Sequence, residues 1–162
     1  NQQLQFLEAD LASVDRDVTP WVIVAGHRPW YTTGDEGCKP CQEAFEGLFY
    51  KYGVDLGVFG HVHNSQRFHP VYNGTVDSAG QQDPKSLMYI VAGGACNIEG
   101  LSAVGKKGAT NAFAYADDFS YATIRFQDAN NLQVDFIRSA TGELLDRSKL
   151  FKSHKQRFDR QS

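Results

Sequence analysis

The sequence predicts an α/β fold with a mixed sheet and antiparallel C-terminal strands. Three observations carry this. The first 60 residues alternate helix, strand, loop, helix, strand, the order of a parallel-type sheet with helices on its faces. Short strand-like runs joined by turn residues follow from Arg67 onward. The composition is that of a globular chain, with 41% hydrophobic and 22% charged residues among 162.

Leu4, Leu7, Leu11 and Val14 recur at three- and four-residue spacing, which predicts a helix over 2–15. Val18-Thr19-Pro20 breaks it. Trp21-Val22-Ile23-Val24-Ala25 is a continuous apolar run, as in a strand buried on both faces, and Gly26-His27-Arg28-Pro29 ends it. A polar loop rich in Gly and Thr spans 31–40. Ala44, Phe45, Leu48, Phe49 and Tyr52 then predict a helix over 42–52, stopped by Gly53. Asp55 to Phe59 reads as a second buried strand and exits into Gly60-His61-Val62-His63. Strands are expected at Arg67–Tyr72, Leu87–Ala92, Ser120–Gln127, Leu132–Arg138 and Glu143–Leu150, with turns at Ala129-Asn130-Asn131 and Thr141-Gly142. Residues 97–118 read as irregular, and the polar tail from Lys152 as frayed. The chain is thus expected to be one unit: an α/β part over 1–66, a mainly β closing part over 67–151 and a tail over 152–162.

Charge and hydropathy narrow the partners. A net charge of −3 offers no basic surface for nucleic acid. No apolar run approaches the roughly 20 residues of a membrane span. Asn1-Gln2-Gln3-Leu4 reads as the interior of a longer sequence, with any signal peptide absent or already removed. The three cysteines are Cys38, Cys41 and Cys96. Cys38-Lys39-Pro40-Cys41 is a single CxxC pair, too few thiols for a four-cysteine zinc site. It reads as a redox pair or as a local disulfide of a secreted protein, and the Gly-rich loop before it favours the disulfide. Asn73-Gly74-Thr75 is a glycosylation sequon and points the same way.

The chemistry rests on histidines. Of five, His27, His61 and His63 directly follow the two buried strands, at the carboxyl ends where α/β sheets bind ligands. Gly60 is expected to supply the tight turn before His61. In extended chain His61 and His63 project to one side, able to share one ion or to serve two ions roughly 3.5–4 Å apart. His69, beside Pro70, and His154, in the tail, read as ordinary polar residues. Asp55 stands at the wrong end of its strand to join the site. Asp35 and Glu36 follow His27 in a loop that can swing back.

These residues resemble a family. Val24-Ala25-Gly26-His27-Arg28-Pro29-Trp30-Tyr31 is similar to the fourth metal motif of the purple acid phosphatases, within the metallophosphoesterase superfamily. Gly60-His61-Val62-His63 is similar to the fifth, GHxH. Val91 to Gly100, and Phe119 through Asp146, resemble the family's C-terminal region, and Cys38 and Cys41 before a helix resemble fungal members. The resemblance implies the C-terminal half of a four-layer α/β/β/α sandwich in a secreted protein. It implies hydrolysis of phosphomonoesters by a hydroxide bridging a binuclear centre, Fe(III) with Zn, Fe(II) or Mn. His27 and His61 would ligate the divalent ion and His63 the ferric one.

The family's first three metal motifs, which supply its aspartates, tyrosinate, asparagine and a catalytic histidine, have no counterpart here. Gly34-Asp35-Glu36-Gly37 has the letters of the first, GDxG, but follows His27 instead of a buried strand and reads as a loop. Asn64-Ser65-Gln66 stands where many plant members have Ala-Tyr-Glu. The catalytic residues are therefore expected on an N-terminal half of the same protein, which becomes the expected partner. The rival readings are a non-catalytic metal-binding or structural remnant, and a mononuclear zinc site on the three histidines.

Overall fold

The computed structural model describes residues 2–96 and 98–155. Helix α1 spans Gln2–Ser13, strand β1 Ile23–Gly26, helix α2 Lys39–Lys51 and strand β2 Leu56–Phe59. Then come β3 (Ser65–Phe68), β4 (Val71–Tyr72), β5 (Thr75–Val76), β6 (Met88–Ala92), β7 (Asn111–Tyr115), β8 (Ser120–Phe126), β9 (Asn131–Arg138) and β10 (Leu144–Phe151).

Five strands form a mixed sheet in the order β1-β2-β6-β3-β7. β1, β2 and β6 run parallel, and β3 is antiparallel to both of its neighbours. A second, antiparallel sheet has the order β10-β9-β8. Alternation along β6 explains the layering. Tyr89 and Val91, with Leu87 just before the strand, enter a core shared with Leu11, Trp30, Phe49 and Phe59. Met88 and Ile90 point the other way and pack with Leu56, Leu132, Val134, Phe136 and Leu150. The described residues thus supply three layers: helices, mixed sheet, antiparallel sheet. No helix among them is long and apolar enough to cross a membrane.

Several expectations change. The single strand expected over 67–72 is two, because Pro70 lacks the N–H that would continue the ladder; His69 lies between them. The stretch 97–118 is not wholly irregular, for β7 arises within it and closes the mixed sheet. Phe113 there packs against Phe136 with ring centroids 5.2 Å apart. The tail does not fray at Lys152, whose side chain is buried and donates to the Pro84 carbonyl. His154 packs edge-on against Trp21, which precedes β1 and so stands at the opposite end of that strand from His27, and burial pushes its imidazole below the usual value. Residues 156–162 of the expected tail lie outside the described residues.

Buried charge in the antiparallel sheet makes stability depend on acid. Arg147 donates from Nε and Nη2 to the two oxygens of Asp135, at 2.8 and 2.9 Å. That fork, joined by Gln133 and opposed by burial, holds the Asp135 carboxyl below the usual carboxylate range. A folded-state value below the unfolded one of about 3.9 gives stability that is present above it and is lost as pH falls through the folded value. The melting-temperature gap between the native chain and Asp135→Asn is therefore expected to be wide at neutral pH and to narrow below about pH 4. A gap unchanged between pH 7 and pH 3 would remove this role.

Candidate metal centre

Because β1, β2 and β6 are parallel, the loops that follow them leave from one rim: 27–38 after β1, 60–64 after β2 and 93–110 after β6. Polar contacts lock the three together. Gln66, fully buried at the start of β3, donates from Nε2 to Asn64 Oδ1 (2.8 Å) and Thr32 Oγ1 (3.2 Å), and its Oε1 accepts from Thr33 N (2.9 Å). Asn64 Nδ2 donates to the Ser102 carbonyl, and His63 N donates to Ser102 Oγ, both at 3.2 Å. At two points backbones touch directly. A Cβ on Gly93 would lie 2.0 Å from the Val62 carbonyl oxygen, and one on Gly105 2.0 Å from that of Thr33. Only glycine permits approaches this close.

The turn before His61 is made differently from the expectation. His61 itself takes the left-handed conformation, φ 62°, rather than Gly60. Val62 N donates to Gly60 O and Asn64 N to Val62 O, so the segment is a series of tight turns and not extended chain. The two-residue alternation that aligned His61 with His63 therefore does not apply. His27 and His61 meet instead: His61 Nδ1 lies 3.2 Å from His27 Nε2, with ring centroids 4.9 Å apart. His63 turns its Nδ1 toward Glu99 Oε2, 3.8 Å away in the loop after β6. On the outer side of His61, Arg28 Nε donates to Nε2 at 3.2 Å and Glu36 Oε2 lies 4.0 Å from the same nitrogen. The loop carrying Asp35 and Glu36 thus does fold back to the rim, with Glu36 the residue that arrives.

An ion's fit follows from these distances. With metal–nitrogen bonds of about 2.0–2.1 Å, two nitrogens on one tetrahedral ion stand about 3.3–3.4 Å apart. The His27–His61 separation matches that edge. Among the described residues no three His, Cys, Asp or Glu side chains group as a complete metal set. The pair therefore fits part of one ion's ligand shell, and further ligands are needed to complete it.

A second polar cluster lies behind the rim, and sequence reading missed it. Glu46 on α2 is buried and accepts from Tyr31 OH (2.6 Å), Tyr89 OH (3.2 Å), Gln42 Nε2 (2.9 Å) and Asn73 N (3.2 Å). Burial, then the facing carboxylate, pushes the phenols of Tyr31 and Tyr89 well above the usual range. Tyr31 OH also receives Gly74 N at 3.0 Å, so this cluster holds the Asn73-Gly74 turn between β4 and β5. Asn73 is exposed there with φ 47°. Cys38 and Cys41 form a disulfide at the start of α2, while Cys96 is free and exposed.

Comparison with known proteins agrees with this architecture. The model "Calcineurin-like phosphoesterase" matches residues 1–65, and "Iron/zinc purple acid phosphatase-like protein C" matches 86–147. Acid phosphatase A of Cryphonectria parasitica is 64% identical over 159 residues, covering 97% of this chain and 32% of that protein. An acid phosphatase of Aspergillus ficuum is 38% identical over 164 residues, covering 93% of this chain and 27% of its own length. The solved structure of purple acid phosphatase PPD1 from yellow lupin (Lupinus luteus) seeds superposes with a TM-score of 0.81 at 26% identity, over 94% of this chain and 28% of that one. The chain thus spans about a third or less of the length of these relatives. With two family models in tandem along it, and with a fungal acid phosphatase matched nearly end to end, the chain belongs to the purple acid phosphatase family of metallophosphoesterases.

Proposed function

We propose that this chain is the C-terminal part of a secreted acid phosphatase that hydrolyses phosphomonoesters at a binuclear metal centre, Fe(III) with Zn, Fe(II) or Mn. The observation that carries the reading is the 3.2 Å approach of His27 Nε2 and His61 Nδ1 at a sheet rim, in a chain of this family. His27 and His61 hold the divalent ion, and His63 reaches the second by turning from Glu99. When bound, the ions draw charge from the phosphoryl oxygens and activate water. The chain's own share is to fix the imidazoles: the Gln66–Asn64–Ser102 contacts set the loops, and the approach at Gly93 sets the height of the turn.

The rest of the centre comes from an N-terminal half of the same protein. Three neutral imidazoles against two ions of total charge about +5 leave that charge unmet, so carboxylates must be added. β1 pairs with β2 alone among the described strands, and its Ala25 and Gly26 are exposed, an unfinished edge for a parallel sheet. The isolated 162-residue chain is accordingly expected to be inactive. Secretion is supported by the Cys38–Cys41 disulfide and by the exposed sequon at Asn73.

The test uses the longer protein from the medium of its native host. It is expected to carry glycan on Asn73, two ions per chain and phosphomonoesterase activity at acid pH. His61→Ala is expected to lower that activity at least about a hundredfold, with one ion lost. One ion and no iron in the native protein would favour the mononuclear zinc site, and neither ions nor turnover the structural remnant. Bare Asn73, or absence from the medium, would remove the secreted assignment.

A further inference from the structure

Arg28, one residue after His27, is engaged in a way that binding of an ion must undo. A guanidinium can only donate, so at the 3.2 Å contact with Arg28 Nε the His61 Nε2 atom is the acceptor. In the neutral ring the proton then sits on Nδ1 and is directed at His27 Nε2. An ion seated between His27 Nε2 and His61 Nδ1 needs the lone pair of that Nδ1. The ring proton must then be on Nε2, where an N–H would face the Arg28 N–H, donor against donor. Repulsion between the guanidinium and a divalent ion acts in the same direction. Glu36 Oε2, 4.0 Å from Nε2, is the acceptor at hand for the relocated proton, the arrangement that orients a metal-bound imidazole.

The displaced guanidinium has little freedom to leave. Its backbone lies between His27 and the buried Pro29 and Trp30, so it remains on the exposed rim beside the ion. Two neighbouring cationic groups are both satisfied by an anion placed between them, and the planar fork of arginine matches two oxygens of a phosphate. We propose that Arg28 is a phosphate-binding residue of this site, held on His61 in the ion-free chain and released to the phosphoryl group when an ion takes the two histidines. The inference rests on the proposed role of His27 and His61 as ligands of one ion.

It predicts effects of opposite sign from one substitution. In the metal-stripped longer protein, titrated with Zn²⁺ in the absence of phosphate, Arg28→Ala is expected to bind the ion about tenfold more tightly. That is the direction expected from removing a unit charge that repels a divalent one nearby, together with a competing donor. Inorganic phosphate, titrated into the Zn²⁺-loaded variant, is expected to bind about 10–100-fold more weakly, the loss of a charge-assisted pair. Arg28→Lys keeps the charge without the fork and is expected to fall between the two on phosphate affinity alone. In the native sequence, nitrogen NMR of His61 is expected to move its ring proton from Nδ1 to Nε2 on adding Zn²⁺. Weaker Zn²⁺ binding by Arg28→Ala, or unchanged phosphate affinity, overturns the proposal, since a packing role would lower both affinities or neither. Arg28→Gln, which keeps most of the bulk, carries the same two measurements if the alanine variant melts early. Failure of the native protein to bind Zn²⁺ at all would instead overturn the metal reading beneath it.

Discussion

Asp55→Asn is expected to destabilise the chain by about 3–5 kcal/mol, the range for breaking a buried charge pair from one side. Asp55 precedes β2 and is 2% exposed. Its Oδ2 accepts from Arg16 Nη1 at 2.6 Å and from Val22 N at 2.8 Å, and its Oδ1 lies 3.8 Å from Lys152 Nζ. Arg16 also donates to the carbonyls of Pro20 and Gly53, so one guanidinium joins the segment before β1 to the end of α2. Asparagine leaves both cations in a poorly solvated place with no carboxylate between them. Burial already pushes the Lys152 ammonium below its usual value, and the Asp55 carboxylate is the largest influence opposing that shift. Urea unfolding checks the expectation as a lower midpoint at unchanged slope. A loss under about 1 kcal/mol would show that solvent reaches these charges freely. The rim is at the other end of the strand, so ion affinity of the folded variant should hold.

Gly93→Ala is expected to damage stability and site together. Its Cβ would meet Val62 O at 2.0 Å and Val62 C at 2.9 Å, both backbone atoms of the turn that carries His61 and His63. Relief requires that turn to move by about 1.5 Å, since contacts below about 3.5 Å are repulsive for carbon. The stability loss is expected at or above the top of the usual overpacking range of about 1–3 kcal/mol. The His27–His61 approach should be lost with it, at a cost of about a hundredfold in function for an ångström of misplacement. Thermal melting and Zn²⁺ titration of the longer protein read the two effects separately. A variant that binds Zn²⁺ as the native protein does would refute the coupling.

The contrast between legible and hidden features is physical. Buried parallel strands are readable because their apolar runs are continuous: Val22 to Ala25 and the residues before Phe59 announce β1 and β2, and the Gly-His exits mark the rim. β7 is hidden because Ala112 and Ala114 give almost no alternation signal, and Phe113 is the residue of this strand that packs against the inter-sheet core. Glu46 and Lys152 are hidden because polar letters read as solvated, whereas tertiary structure closes over both: the β4–β5 turn over Glu46, and Asp55 with the Pro84 carbonyl around Lys152. Within the site, each histidine's position along the chain is legible and its direction is not. The left-handed backbone at His61 breaks the two-residue alternation and sends His63 toward Glu99. That a non-glycine residue occupies this region at a strand exit suits a rim over-determined by its neighbours.

The double-faced strand β6 has a consequence for how the molecule opens. One face of the strand belongs to the helix-side core and the other to the inter-sheet core, so neither layer can detach while the other stays intact. The amides of β6 should exchange with solvent only through global unfolding, and those of β2 and β3, paired on either side, nearly as slowly. Gly93 follows β6 directly and donates to Asn64 O at 3.1 Å. The histidine turn is thereby fastened to the last segment of the chain to let go. Thermal fluctuation short of complete unfolding will leave His61 aimed at His27, so the ion-binding edge is preformed and its entropic cost is met when the chain folds.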